Sequence, residues 1–424
     1  MLARITTRLL PLLFVCYVIA YIDRINVGFA KLHLRHVLGV GESDFGGVYG
    51  LGAGLFFIGY FIFEIPSNLI LQRVGARVWI ARIMIVWGLV SMGFMFMKSV
   101  TAFYVMRFLL GAAEAGFFPG VILYLTYWYP ARERARTVAL FTLGGIVAGV
   151  VGSPLSGAIL GMNGAAGLAG WQWLFLLEAI PAVLMGLVVL WILPNNPQTA
   201  RWLSGREKAW ISTRMREDAA REGAPASESF LRLLGNGRVW LLCLIYFLMN
   251  IGGYGFEFWL PSIVKGFSGL GDAWVGLINA IPYLIAGIVM LLVGRHSDKV
   301  GERRVHVGLS ATTAGLGFVL AALLHQPWLA MGGLTLAFAG AKSTLGPFWA
   351  LSTGFLSGTA AAGGIALINS VGNLGGFFGP YLVGKIVDRT GNNILALLLL
   401  AGALFGMGAC ALALKTGRRP PVSG

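Results

Sequence analysis

Charge is scarce in this sequence. Only 12% of its 424 residues are Asp, Glu, Lys or Arg, half of the roughly 25% usual in a soluble domain. Apolar side chains fill the gap at 57%, and mean hydropathy is +0.78. This balance excludes an ordinary soluble globular protein and points to a polytopic membrane protein. Cysteine is scarcer still. Cys16, Cys243 and Cys410 each lie in an apolar run without metal-ligand or disulfide spacing, so they read as small buried hydrophobes. No G-x-x-x-x-G-K-[ST] loop occurs. GLGAG at 50–54 sits in an apolar run with no strand before it, so the 61 glycines suit close helix packing better than a nucleotide. No His, Cys and carboxylate cluster has metal spacing, and no Ser-His-Asp set occurs. Neither a cofactor nor a metal nor an enzyme activity is expected, and any transport would draw on a gradient rather than on ATP. The first apolar run is too long for a signal h-region and lacks a small-residue cleavage site, so a cleavable signal is not expected.

What is abundant is long apolar segments. Twelve occur, at 8–30, 45–70, 78–97, 101–127, 136–161, 171–193, 237–264, 271–295, 305–324, 327–356, 361–385 and 391–414. A spanning helix needs about 20 residues, so the predicted fold is an all-α membrane protein of twelve transmembrane helices. The polar stretch 194–236, opened by Pro194 and Pro197, reads as a cytoplasmic linker with a short amphipathic helix near 204–222. It divides residues 1–193 from 237–424, six helices each, the second half ending in a short cytoplasmic tail. The halves are also similar to one another. QRVGAR at 72–77 matches DKVGER at 298–303, and Ser153-Pro154 matches Gly379-Pro380 at the same offset of 226. Six is an even number of crossings, so the two pseudo-repeat bundles insert in parallel, the plan of carriers that rock about a midplane site.

The net charge of +15 follows from topology. Of 32 Lys and Arg, 23 fall at the two ends and in the loops of one side, 6 on the other side, and Arg24, Arg107 and Lys342 within spans. The positive-inside rule then places both termini and the linker in the cytoplasm. The basic balance reflects this topology and attraction to anionic lipid, and no nucleic-acid partner is expected.

A charge near the bilayer centre costs roughly 2.5–3.5 kcal/mol, so charges within spans mark function by default. Asp23 and Arg24, side by side in YIDRIN, point about 100° apart and need separate partners. The fourth span supplies Arg107 and, seven residues on, Glu114. One arginine and one carboxylate on each of two helices make a neutral four-charge cluster. A proton on either carboxylate would leave it positive and attractive to an anion, a route to co-transport of H⁺ with an organic acid. The competing reading is a static pair pinning two helices. Glu64 and Glu178 read as structural or interfacial groups that snorkel from span ends. Glu257 reads equally as a cavity or a mouth residue. Lys342 would grip a second substrate carboxylate or neutralise Glu257. Asn369 and Asn373, four apart on one face, serve either substrate or helix–helix hydrogen bonding.

The loop GRHSDKVGERR between spans eight and nine resembles the cytoplasmic motif of the major facilitator superfamily. The resemblance implies that Asp298, Gly301, Arg303 and Arg304 latch the inner gate. It implies a weaker latch for the first-half copy around Arg73, Gly75 and Arg77, because Asn68, Gln72 and Gly75 stand where Gly, Asp and Gly are usual. More narrowly, YIDRINVGFA, GYFIFEIPSNLIL, RFLLGAAEAGFFPGVILYLTYWYP, GWQWLFLLEAIPA, YGFEFWLP and GPFWAL…GIALINSVGNLGGFFGPYLVG resemble the anion:cation symporter family along nearly the whole chain. That resemblance implies proton-carrying roles for Asp23 and Glu114, carboxylate binding by Arg24, and an organising role for Arg107. It also implies substrate contacts at Tyr60 and Asn373 and an aromatic wall at Trp349. Sugar-acid carriers of the family offer a glutamine on helix five. Here the equivalent stretch is Leu143-Gly144-Gly145, which favours an aromatic or bulkier acid over a polyhydroxylated one.

The sequence thus reads as a monomeric symporter of a bacterial inner membrane, importing a tartrate-, phthalate- or aromatic-acid-like anion with H⁺. The rival readings are an exporter or exchanger of the same fold and, less well supported by so short a linker, a ligand sensor.

Overall fold

A chain in lipid must satisfy its backbone hydrogen bonds internally, and a helix does so within one segment. The computed structural model describes residues 1–221, 234–324, 326–355 and 359–414, and among these residues there is no strand. The part of the linker at 222–233 and the tail charges beyond 414 lie outside the described residues. The first half comprises α1 (Leu2–Leu38), α2 (Glu42–Val74), α3 (Ala76–Gly93), α4 (Val100–Glu114), α5 (Phe117–Thr126), α6 (Ala131–Thr142), α7 (Gly144–Leu160) and α8 (Gly170–Ile192). The linker carries α9 (Gly205–Arg221). The second half comprises α10 (Gly237–Glu257), α11 (Leu260–Ser268), α12 (Asp272–Val300), α13 (Arg304–Leu323), α14 (Pro327–Ser343), α15 (Leu345–Phe355), α16 (Thr359–Asn373), α17 (Gly375–Thr390) and α18 (Ile394–Ala413).

Ten stretches of helix among the described residues are long and apolar enough to cross a bilayer, with α4–α5 and most of α6–α7 each counted as one. The other two apolar runs of the sequence are the helix pairs α14–α15, interrupted at Thr344, and α16–α17, interrupted at Leu374. Successive crossings alternate in direction. Arg4 at the start of α1 bonds Glu207 of α9 at 3.2 Å, which sets the first crossing beside the linker. The bundle therefore has a linker face and an opposite, far face.

Within the first bundle α1 packs on α7 and α8, α2 on α4, and α3 on α8; within the second, α10 packs on α17 and α18 and α13 on α14. The bundles meet through α2 against α17 and α7 against α12. Both seams are tightest toward the far face, where backbones touch. A Cβ on Gly384 would lie 2.0 Å from the Gly46 carbonyl oxygen, and one on Gly276 would lie 2.4 Å from that of Ser153. Small residues let helices approach this closely. Polar ties add to the closure. Asp388 accepts from the Gly46 and Gly47 amides at 2.7 and 2.6 Å, and His33 meets Asp272 at 2.8 Å, a carboxylate that Lys265 also bonds at 3.0 Å from within the second bundle. Lys31, counted from the sequence among the loop charges of this face, is instead buried within α1, its ammonium 3.0 Å from the Trp259 ring centroid.

The loops expected to gate the linker face are braced inside their own bundles. Gly301, at φ +74°, turns the chain out of α12; Arg303 bonds Asp298 at 2.6 Å and Ser297 at 3.0 Å, and Arg304 donates to the Leu414 carbonyl at 3.0 Å. In the first half Gly75, at φ +95°, joins α2 to α3. The Arg77 amide bonds Asn195 at 2.9 Å and its guanidinium donates to the Leu190 carbonyl, while Arg73 is exposed.

Gly384→Leu is expected to hold the far face apart. Spin labels at the exposed Glu42 and Arg389 should then report a longer mean distance in a folded, monodisperse variant; an unchanged distance would show that the seam is not tight.

Candidate functional site

The fourth crossing breaks where it is needed. α4 ends at Glu114, Ala115 leaves the helical region, and Gly116 at φ +86° restarts the chain as α5. Glu114 so placed forms an ion pair with Arg24 of α1. Another guanidinium nitrogen of Arg24 donates to the Tyr254 hydroxyl at 3.2 Å, from the second bundle. The rings of Phe56 and Tyr60 lie 5.2 and 5.6 Å from the guanidinium carbon.

Asp23, one residue earlier, turns into the first bundle and is fully buried. Ser91 donates to its Oδ1, as does Asn26 at 3.2 Å, while Oδ2 has no hydrogen-bond partner. Arg107 is equally buried, but its guanidinium donates to the carbonyls of Gly52 and Ala53 at 3.3 and 3.1 Å. The four charges predicted as one cluster are therefore organised as one contact pair, Arg24 with Glu114, beside two charges held by neutral partners. Arg107 remains within electrostatic range of Asp23 and Glu114.

Lys342 and Glu257 form a second contact pair at 2.9 Å in the other bundle. Of the two partners open to Lys342 from the sequence, the structure shows Glu257. The Tyr21 hydroxyl, from the first bundle, donates to the Glu257 carboxylate at 3.0 Å and accepts from Lys342 at 3.1 Å. The two pairs are built alike. Each joins the first and fourth crossings of its own half, at the break in the fourth, with the charges exchanged between helices. Each is capped by a tyrosine from the opposite half. In both, the cation is the more open member: side-chain exposure is 11% for Arg24 and 20% for Lys342, against 1% for each carboxylate.

Glu64 and Glu178 are not snorkelling groups. Glu64 is 4% exposed and accepts from Asn369 at 2.6 Å and Ser370 at 3.1 Å, across the bundle boundary. Glu178 is 3% exposed and accepts from Ser156 at 2.6 Å. Both turn inward because helix rotation, rather than height along the helix, decides what a side chain faces. Asn369 is thus engaged with Glu64, and Asn373, one turn on, is half-buried. Trp349 belongs to an aromatic group with Tyr246 and Phe348, at 5.1 and 5.3 Å between ring centroids. Sequence reasoning missed Tyr21, Tyr254 and Ser91. The first two stand one turn from Arg24 and Glu257, a spacing that could have drawn attention to them.

The profile of the Major Facilitator Superfamily matches residues 13–380. The chain belongs to that superfamily. A protein of Agrobacterium vitis, provisionally named a tartrate transporter, is 48% identical over 95% of this chain and 88% of its own. NicT of Pseudomonas putida, provisionally named a metabolite transport protein, is 47% identical over 95% and 91%. The quinolone resistance transporter of Acinetobacter baumannii is 42% identical over 95% and 92%. Among solved structures, the inward open conformation of the xylose transporter XylE from E. coli aligns with a TM-score of 0.75 at 16% identity, covering 97% of this chain and 96% of that one. A bacterial homolog of the human lysosomal transporter Spinster, inward-facing and unoccupied, aligns at 0.73 and 20% identity, covering 95% and 92%. These two show the major facilitator fold.

Arg107→Lys keeps the charge but loses the planar fork that reaches two carbonyls. Thermal unfolding of the purified variant should shift down by an amount equivalent to about 1–3 kcal/mol, whereas Arg24→Lys should shift it less. Equal stability of Arg107→Lys and the wild type would remove the bracing role.

Proposed function

We propose that this member of the superfamily is a proton-coupled symporter that imports a small organic anion by rocker-switch alternating access. The observation that carries the reading is the Arg24–Glu114 pair, with the cation partly open and the carboxylate sealed behind it. An incoming carboxylate competes with Glu114 for Arg24. Once displaced, Glu114 is an uncompensated charge at low dielectric, which is costly. A proton removes that cost, so anion binding and proton binding favour one another. Asp23, buried with one oxygen unpartnered, is the second proton carrier. Tyr60, Asn369, Asn373 and Trp349 line the remaining wall. The bias of the loop charges supports a bacterial inner-membrane protein with both termini and the linker in the cytoplasm, and the presence of both pairs in one chain supports a monomer.

The name of the Agrobacterium vitis relative supports an organic anion of the tartrate class. That of another relative, the quinolone resistance transporter, favours a second reading, an exporter or exchanger of the same fold.

Uptake into proteoliposomes of labelled tartrate, phthalate, hydroxyphenylacetate, nicotinate and galactonate separates the two. Symport gives accumulation of an acid only under an inward H⁺ gradient; equilibration or counterflow indifferent to the gradient supports the exchanger. Arg24→Ala should abolish uptake while eluting as a folded protein. Wild-type uptake by that variant would show that the anion binds elsewhere.

A further inference from the structure

The second charge pair has no part in the reading just given. Lys342 and Glu257 are in contact at 2.9 Å, Lys342 is 20% exposed and Glu257 1%. They repeat the geometry of Arg24 and Glu114 in the other bundle. The two sites are neighbours. Tyr21 and Arg24 are one turn apart on α1, about 5 Å of rise, as are Tyr254 and Glu257 on α10, and each tyrosine hydroxyl bonds a member of the other half's pair. A molecule bridging the pairs would meet two cations.

We propose that Lys342 receives the distal carboxylate of a dicarboxylate substrate, and that Glu257, displaced from it, takes up one further proton. The inference rests on the symport reading and adds substrate valence and a coupling group beyond Glu114 and Asp23. The charges balance at the two pairs, Asp23 being outside them. A dianion and two protons enter; Arg24 and Lys342 each exchange a glutamate for a substrate carboxylate; Glu114 and Glu257 each become neutral, and the two pairs keep zero net charge. Apart from Lys342, the described groups facing Glu257 are the hydroxyls of Tyr21 and Tyr283, with Tyr17 beyond. None of these is a cation, so among the described neighbours a proton is what replaces Lys342. A monocarboxylate bound at Arg24 would leave the Lys342–Glu257 pair closed and carry one proton fewer.

The test compares dicarboxylates (tartrate, phthalate) with monocarboxylates (nicotinate, hydroxyphenylacetate) in proteoliposomes, with proton flux read beside label uptake. In Lys342→Gln, dicarboxylate uptake at low concentration should fall about tenfold or more, as for loss of one charge-assisted contact, and should fall more than monocarboxylate uptake. In Glu257→Gln, net gradient-driven dicarboxylate uptake should persist with one proton fewer per substrate. Because either single change strands a buried partner, Glu257→Gln combined with Lys342→Gln serves as the folding control, and it should lose dicarboxylates selectively as well. A wild-type proton ratio in folded Glu257→Gln, or equal losses of both acid classes in the double variant, would overturn the inference. Wild-type uptake of monocarboxylates alone would overturn it and leave symport standing. Absence of any gradient-driven uptake by the wild type would bring down both.

Discussion

An ionised side chain inside a low-dielectric bundle must find its counter-charge or its hydrogen bonds within contact distance, because distance restores the full cost of desolvation. This constraint arranges the centre of the molecule. Arg24 and Glu114 satisfy it within the first bundle, Lys342 and Glu257 within the second. Among the described residues the hydrogen bonds between the bundles at this level run through neutral hydroxyls and amides: Tyr254 to Arg24, Tyr21 to Glu257 and Lys342, Asn369 and Ser370 to Glu64. The partition suits a rocking molecule. A typical hydrogen bond contributes about 0.5–1.5 kcal/mol net, whereas parting a buried ion pair costs about 3–5 kcal/mol. At this level the ion pairs travel with each rigid body, and the neutral hydrogen bonds are broken and remade between them.

The far face obeys a different constraint. There the seam depends on backbone approach, Gly46 against Gly384 and Ser153 against Gly276, with little side chain between. Such contacts are made or lost over a small separation, since dispersion fades within about an ångström. The ties of Asp388 and His33 on this face join helix ends, where the bodies separate most if they pivot near the centre.

The fold was legible because its cause is one-dimensional. Twelve apolar runs, alternating crossings and the shared offset of 226 all follow from the order of residues. The site was legible to the extent that a charge in an apolar run announces itself, which picked out Asp23, Arg24, Arg107, Glu114 and Lys342. Partners were less so, because they depend on helix rotation and neighbour choice. Arg107 and Asp23 could have met as opposite charges; the structure gives one to carbonyls and the other to Ser91. Glu64 and Glu178, read as structural or interfacial, prove to be buried structural acceptors, and the interfacial reading failed for the same reason, since height along a helix says nothing of which way a side chain turns. Lys342 was ambiguous between a substrate and Glu257 until a distance was available.

The exchange of signs between the two halves bears on selectivity. Had the second pair kept the arrangement of the first, its cation would stand on the first crossing of its half, as Arg24 does. Instead the first crossing of the second half carries the carboxylate and the fourth carries the lysine. Yet in both halves the cation is the member left open and the carboxylate the member sealed. What the repeats share at the site is therefore the order of exposure rather than the residue type at matching positions. A cationic solute meets two like charges before it can reach a carboxylate, and like charges repel more strongly where water is excluded. An anion meets its partners first, and the cost of entering falls only on the glutamates behind them, where a proton can offset it.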